Sequence, residues 1–142
     1  MKKTAGAFAV LLSAGLLLAG CAEKSSTESA EKKIHYIKTS VMYDTLLDIY
    51  QNKDDYLGET LHMVGTLYPS KDDNDEIFYS IYAEPQSGGD GIGLELDWSD
   101  FSEFEDYDKI MVEGTLDQTT VQDQGRHREI LILRVSTIEK RD

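Results

Sequence analysis

The stretch IGLELDWSDFSEFEDYDKIMVEGTL, residues 92–116, carries the pattern on which the fold turns. Ile92, Leu94, Leu96 and Trp98 alternate with Gly93, Glu95 and Asp97, which is the period of a strand with one face in a core. Ile110, Val112, Gly114 and Leu116 repeat that period in KIMVEGTL, 109–116. Between them, in SDFSEFEDYD, Phe101, Phe104 and Tyr107 fall three apart. A cap at Ser99 or Asp100, with Glu103 three residues beyond Asp100, predicts a short helix over this stretch.

Three further strands flank this unit. TLHMVGTLY, 60–68, sends Leu61, Met63, Gly65 and Leu67 to one face, and IFYSIYA, 77–83, follows a polar turn. EILILRVSTI, 129–138, begins apolar on both faces and so calls for two covers. The second cover is offered by SVMYDTLLDIYQ, 40–51, where Met42, Tyr43, Leu46, Leu47 and Tyr50 recur at helical spacing and Thr39 or Ser40 can cap the start. Five strands with a helix between the third and fourth are the order of an OB-fold, a small Greek-key barrel. The expected class is therefore mainly β: a five-stranded OB-like barrel with an N-terminal helix. Gly65 and Gly114, each inside a good strand, are expected at bends or bulges.

The first residues have a different character. MKK precedes an uncharged apolar run from Ala5 to Leu18, and Leu18-Ala19-Gly20-Cys21 closes it. That is the layout of a secretory signal peptide ending in a bacterial lipobox, in which cleavage falls between Gly20 and Cys21 and the thiol takes a diacylglyceryl group. Two acyl chains hold a protein on a membrane durably, whereas one gives marginal binding. Cys21 is the only cysteine, so no disulfide forms within the chain. AEKSSTESAEKK after it lacks aromatic and branched apolar residues and reads as a flexible tether. The expected organisation is a signal peptide over 1–20, a tether over 21–33 and one OB-like domain over 34–142, held on the extracytoplasmic face of a cell membrane.

Fourteen basic side chains face 27 acidic ones, a formal net charge of −13. Because nucleic-acid affinity comes largely from Lys and Arg displacing counterions, that balance predicts no nucleic-acid partner. SGGDG, 87–91, precedes a strand rather than a helix, so it reads as a hairpin loop and not a phosphate cradle. DDNDE, 72–76, lacks the sixth-position glycine of a calcium loop, since Ile77 stands there, and reads as a solvated acidic turn. His35, His62 and His127 are scattered without zinc-ligand spacing. No cofactor and no metal are expected, and no catalytic motif stands out among the many paired acids, such as Glu103, Glu105 and Asp106.

LLDIYQNKDDYLGETLHMVGTLY, GIGLELDW and YDKIMVEGTL together resemble a group of uncharacterised OB-like lipoproteins of Gram-positive bacteria, and also the C-terminal domain of a related family encoded beside permeases. The resemblance implies an extracytoplasmic, membrane-attached OB-like domain of unknown activity. Members often carry adjacent cysteines before the third strand. Here that stretch is Ala83 to Gly91 and has none, so thiol chemistry there is closed to this chain.

The surface expected to bind is the outer face of the second and third strands, where OB-folds take ligands. With Ile77, Tyr79 and Ile81 inward, Phe78, Ser80 and Tyr82 point out beside Glu95 and Asp97. Phe78, Tyr82, Glu95 and Asp97 are thus the candidate ligand face, fit for a sugar or a basic peptide strip. Coverage by the N-terminal helix or the adjacent loop competes with that reading and is the stronger expectation, because a one-residue register slip exchanges the faces. The function expected is a non-catalytic binding module for another envelope protein. The rivals are a small-ligand module for sugars or peptides and a hydrolase built from distant acids.

Overall fold

In the computed structural model, residues 33–142 are described. The expected signal peptide over 1–20, its cleavage site at Gly20 and Cys21, and residues 21–32 of the expected tether lie outside the described residues.

The elements run β1 (Ile34–Ile37), a 3-10 turn (Thr39–Val41), α1 (Met42–Gln51), a second 3-10 turn (Lys53–Asp55), β2 (Thr60–Lys71), β3 (Ile77–Ala83), β4 (Ile92–Asp97), β5 (Lys109–Asp123) and β6 (Arg126–Lys140). β2 pairs antiparallel with β3, β3 with β4 and β5 with β6, while β4 and β6 pair in parallel. Antiparallel pairing of β5 with β2 closes the ring. Five strands in the cyclic order β2-β3-β4-β6-β5, with one parallel contact, form the OB-like Greek-key barrel expected from the sequence.

Two parts of the expectation need correction. A sixth strand, β1, lies parallel on β2 with Ile34 opposite Thr60 and Ile37 opposite Met63. The segment 99–108 forms no helix. Its polar groups are used locally instead: Asp100 Oδ1 accepts the Ser102 N–H at 2.9 Å and Asp108 Oδ2 accepts the Glu105 N–H at 2.8 Å. Such side-chain acceptors offer the backbone an alternative to the helix. Tyr107, at φ 70°, then turns the chain and donates its N–H to the Leu67 carbonyl at 2.9 Å.

The barrel interior holds the alternating residues of each strand. Leu61, Met63, Leu67, Ile81, Leu94, Ile110, Val112, Leu116 and Leu133 are fully buried. On α1 the buried stripe is Met42, Leu46 and Ile49, with Tyr43 and Leu47 half-buried and Tyr50 exposed. A Cβ on Gly65 would lie 2.8 Å from both Ile81 and Met42, so the absent side chain is what admits the helix to the barrel. α1 packs on β4, and its Met42, Leu46 and Ile49 share one buried cluster with Leu131 and Leu133 of β6. Phe101 and Phe104 pack on the core at a second level, where Phe101 meets Tyr79 with ring centroids 4.5 Å apart. Gly114 sits at the register shift in the β5–β6 ladder, where a Cβ would lie 2.4 Å from the Arg134 carbonyl oxygen.

Candidate functional site

Both long hairpins project past the closed part of the barrel, and each is fixed by its turn. In the β2–β3 turn the Asp72 carboxylate accepts the N–H groups of Asn74 at 2.8 Å and Glu76 at 2.9 Å, and Asp75 takes φ 63°. Those two N–H groups, Glu76's first, hold the Asp72 carboxyl below its ordinary range. The acidic run DDNDE therefore closes a turn. In the β5–β6 hairpin Asp123 pairs with Arg126 across Gln124 at φ 48° and Gly125 at φ 76°. Two successive positive φ angles match the right-handed twist of the strands they join.

Between these hairpins lies a cleft of about 1330 Å³. Its floor is the outer face of β3 and β4, with Phe78, Ser80, Gly93 and Glu95, and Ser80 stands opposite Glu95 in the ladder. One wall is the 71–77 turn, and the other carries Val121, Gln122, Arg128 and Ile130. The helix closes one end. Tyr50 donates its hydroxyl to the Gly93 carbonyl at 2.8 Å, and Lys53 Nζ donates to Gln118 Oε1 at 2.7 Å.

Asp72, Asp73, Glu76, Glu95, Asp123 and Glu129 line the cleft against Lys53, Lys71 and Arg128. Two of those cations are already near acids, Lys71 at 3.7 Å from Asp75 and Arg128 at 3.7 Å from Asp123. Glu95, on the floor, has no hydrogen-bond or ion-pair partner among the described residues. Burial pushes its carboxyl above the ordinary value, and Asp97 nearby adds to the rise. The Tyr50 phenol is pushed up as well, by burial first and by Glu95 second.

The four residues picked out in the sequence separate in space. Phe78 and Glu95 share the cleft floor. Tyr82 lies off it, stacked on Tyr68 at 4.7 Å with its hydroxyl accepting the Gly91 N–H at 3.0 Å. Asp97 lines a smaller depression with Trp98, Thr119 and Arg134, where Arg134 Nη1 bonds it at 2.7 Å. The helix reaches the cleft only at its end, so Phe78 is half-buried under an open space rather than covered. Tyr50, Lys53 and the β5–β6 arm were missed by sequence reasoning. The arm's signal was weak but present, a β-branched run TTV followed by Gln124-Gly125.

No protein-family model and no curated protein matches the chain. Among solved structures, it is similar to a small single-stranded DNA-binding protein from Streptomyces coelicolor at 14% identity and TM-score 0.41, over 59% of this chain and 94% of that one. That protein is described by single-stranded DNA binding, and against it the expectation of no nucleic-acid partner, drawn from net charge alone, is withdrawn. Net charge is a property of a whole chain. Binding depends on one face, and the cleft here carries Lys53, Lys71 and Arg128 among its acids.

Proposed function

We propose that this chain is a lipid-anchored, extracytoplasmic binding module, attached through Cys21, whose OB-like barrel docks another envelope protein in the cleft between its hairpins and performs no catalysis of its own. The anchor rests on the Leu18-Ala19-Gly20-Cys21 lipobox behind an apolar run. The observation that carries the binding role is the cleft itself. It occupies the outer face of the second and third barrel strands between the hairpin turns, the position from which OB-folds bind extended ligands.

Charge narrows the occupant. Acids exceed cations along the cleft, and Glu95 on its floor lacks a partner among the described residues. An extended basic segment of a partner protein would supply that partner and lay its aliphatic stems on Phe78. A shorter peptide or a sugar in the same cleft is the alternative, favoured only by the half-buried aromatic ring.

The test has two arms. Cell fractionation of the native protein and of Cys21→Ser is expected to find the first in the membrane and the second released, and intact-mass analysis is expected to show acyl chains on a mature N-terminus at Cys21. In-cell crosslinking followed by mass spectrometry is expected to recover a stable protein neighbour through residues of the cleft. A bare thiol at position 21, or no reproducible neighbour, contradicts the corresponding half of the proposal.

A further inference from the structure

Outside the cleft lining but on the same outer face of β2 and β3 three tyrosines gather, Tyr68 opposite Ser80 and Tyr82 opposite Gly93 at the cleft floor. Tyr68 and Tyr82 stack with ring centroids 4.7 Å apart and planes 27° apart, and Tyr107 meets Tyr68 edge-on at 5.6 Å and 79°. Tyr107 is 62% exposed and Tyr68 37% exposed.

Tyr107 is held in a conformation that bulky residues avoid. Its φ of 70° lies in the left-handed region, where an L side chain crowds the following carbonyl and where Gly, Asn and Asp are the usual occupants. The N–H bond to Leu67 needs only the backbone, so the turn does not require this ring. Strain retained by a side chain that buries little points to use of the side chain outward. Around it the geometry is fixed. Tyr82 is pinned by the Gly91 N–H, and a Cβ at Gly91 would lie 2.2 Å from Tyr82 Cζ, so only glycine leaves the ring in place.

The hydroxyls differ in the same sense. Those of Tyr50, Tyr56, Tyr79 and Tyr82 have partners, whereas those of Tyr68 and Tyr107, like those of the separate Tyr36 and Tyr43, have none among the described residues. Two nearly perpendicular rings with free hydroxyls form a corner that offers an apolar face and polar groups at its edges. Glu105 and Asp106, both exposed, immediately precede Tyr107, Asp106 accepting the Tyr79 hydroxyl at 3.3 Å, and the exposed Lys109 follows two residues later.

We propose that Tyr68, Tyr82 and Tyr107 form a second binding site, adjoining the cleft, for a neutral hexopyranose glycan. A pyranose ring presents an apolar C–H face to a tyrosine and hydroxyls around its rim to phenols and carboxylates. With Glu105 and Asp106 just before Tyr107 and one exposed cation, Lys109, after it, the local charge is net negative, which disfavours a phosphate-bearing ligand and leaves an uncharged sugar unopposed.

The test is a titration of the full chain with cellohexaose, maltohexaose and chitohexaose, followed by NMR of the tyrosine ring resonances. Saturable shifts of Tyr68, Tyr82 and Tyr107 are expected with at least one of the three. Tyr68→Ala is expected to weaken that binding by about tenfold, the loss of one aromatic contact of roughly 1.4 kcal/mol. Tyr107→Asn suits the left-handed backbone, so it is expected to keep the melting temperature while losing affinity, which a purely structural ring would not do. Gly91→Ala is expected to weaken binding through Tyr82, and Thr137→Ala, at an exposed residue outside both sites, to leave it unchanged. The proposal falls if none of the three sugars gives saturable shifts, if the shifts map to the cleft, or if a single-stranded oligonucleotide shifts the same rings more tightly than any sugar.

Discussion

Replacing Leu46 by alanine tests whether the N-terminal helix belongs to the barrel core. Leu46 is fully buried, as are its helix neighbour Ile49 and the strand residues Leu61 and Leu94, and Met42 is 1% exposed. Deleting a buried leucine to alanine removes transfer free energy and leaves a cavity, about 2–5 kcal/mol together. Here collapse is hindered, because the lining comes from a closed ring of strands on one side and a helix wedged at Gly65 on the other. The upper part of the range, about 3–5 kcal/mol, is therefore expected. For a domain of this size each kcal/mol lowers the melting temperature by about 4 °C, so the fall should be roughly 12–20 °C. Urea unfolding is the assay, with the midpoint shifting and the slope unchanged. A loss below about 1 kcal/mol, as for an average surface substitution, would refute the placement of α1 in the core.

Glu95→Gln should stabilise the fold at neutral pH and weaken docking in the cleft. The folded carboxyl titrates above the ordinary glutamate range, so the native state holds its proton longer than the unfolded chain and stability falls as pH rises through that interval. Urea unfolding at pH 4 and pH 7 should show the variant's gain to be larger at pH 7, and an equal gain at both would count against the burial argument. Gly114→Ala should cost about 1–3 kcal/mol, because its Cβ would meet backbone at 2.4 Å that no rotamer can move. A neutral result in thermal unfolding would mean that the bulge relaxes. Gly125→Ala should cost about 1–2 kcal/mol through its φ of 76° alone, since nothing lies within 4 Å of the added methyl.

The barrel was legible where one face of a strand is buried and the other is wet. Leu61, Met63 and Leu67 on β2, and Leu94 and Leu96 on β4, keep a strict period of two, and the structure buries them. β1 was not legible. Four residues, IHYI, give too short a pattern, and a parallel pair joined through α1 has no hairpin turn to announce it. The three-residue spacing of Phe101, Phe104 and Tyr107 read as a helix because it takes no account of Asp100 and Asp108, whose carboxylates bind backbone N–H groups and turn the chain twice. Phe78 and Glu95 were legible as neighbours because their strands pair in a simple ladder. The far wall of the cleft was hidden because β5 and β6 continue as Thr, Gln and Arg beyond Leu116 and Leu131, where hydrophobic periodicity fades although pairing persists.

A photo-crosslinking amino acid at position 78 tests most directly whether the cleft is the docking surface. In intact cells, the full chain carrying it at Phe78 should yield one defined protein adduct on irradiation, and the yield should drop when Glu95 is also changed to Gln. The same group at exposed Thr137, outside the cleft, should yield none. No adduct from position 78, or the same adducts from both positions, would contradict the proposal.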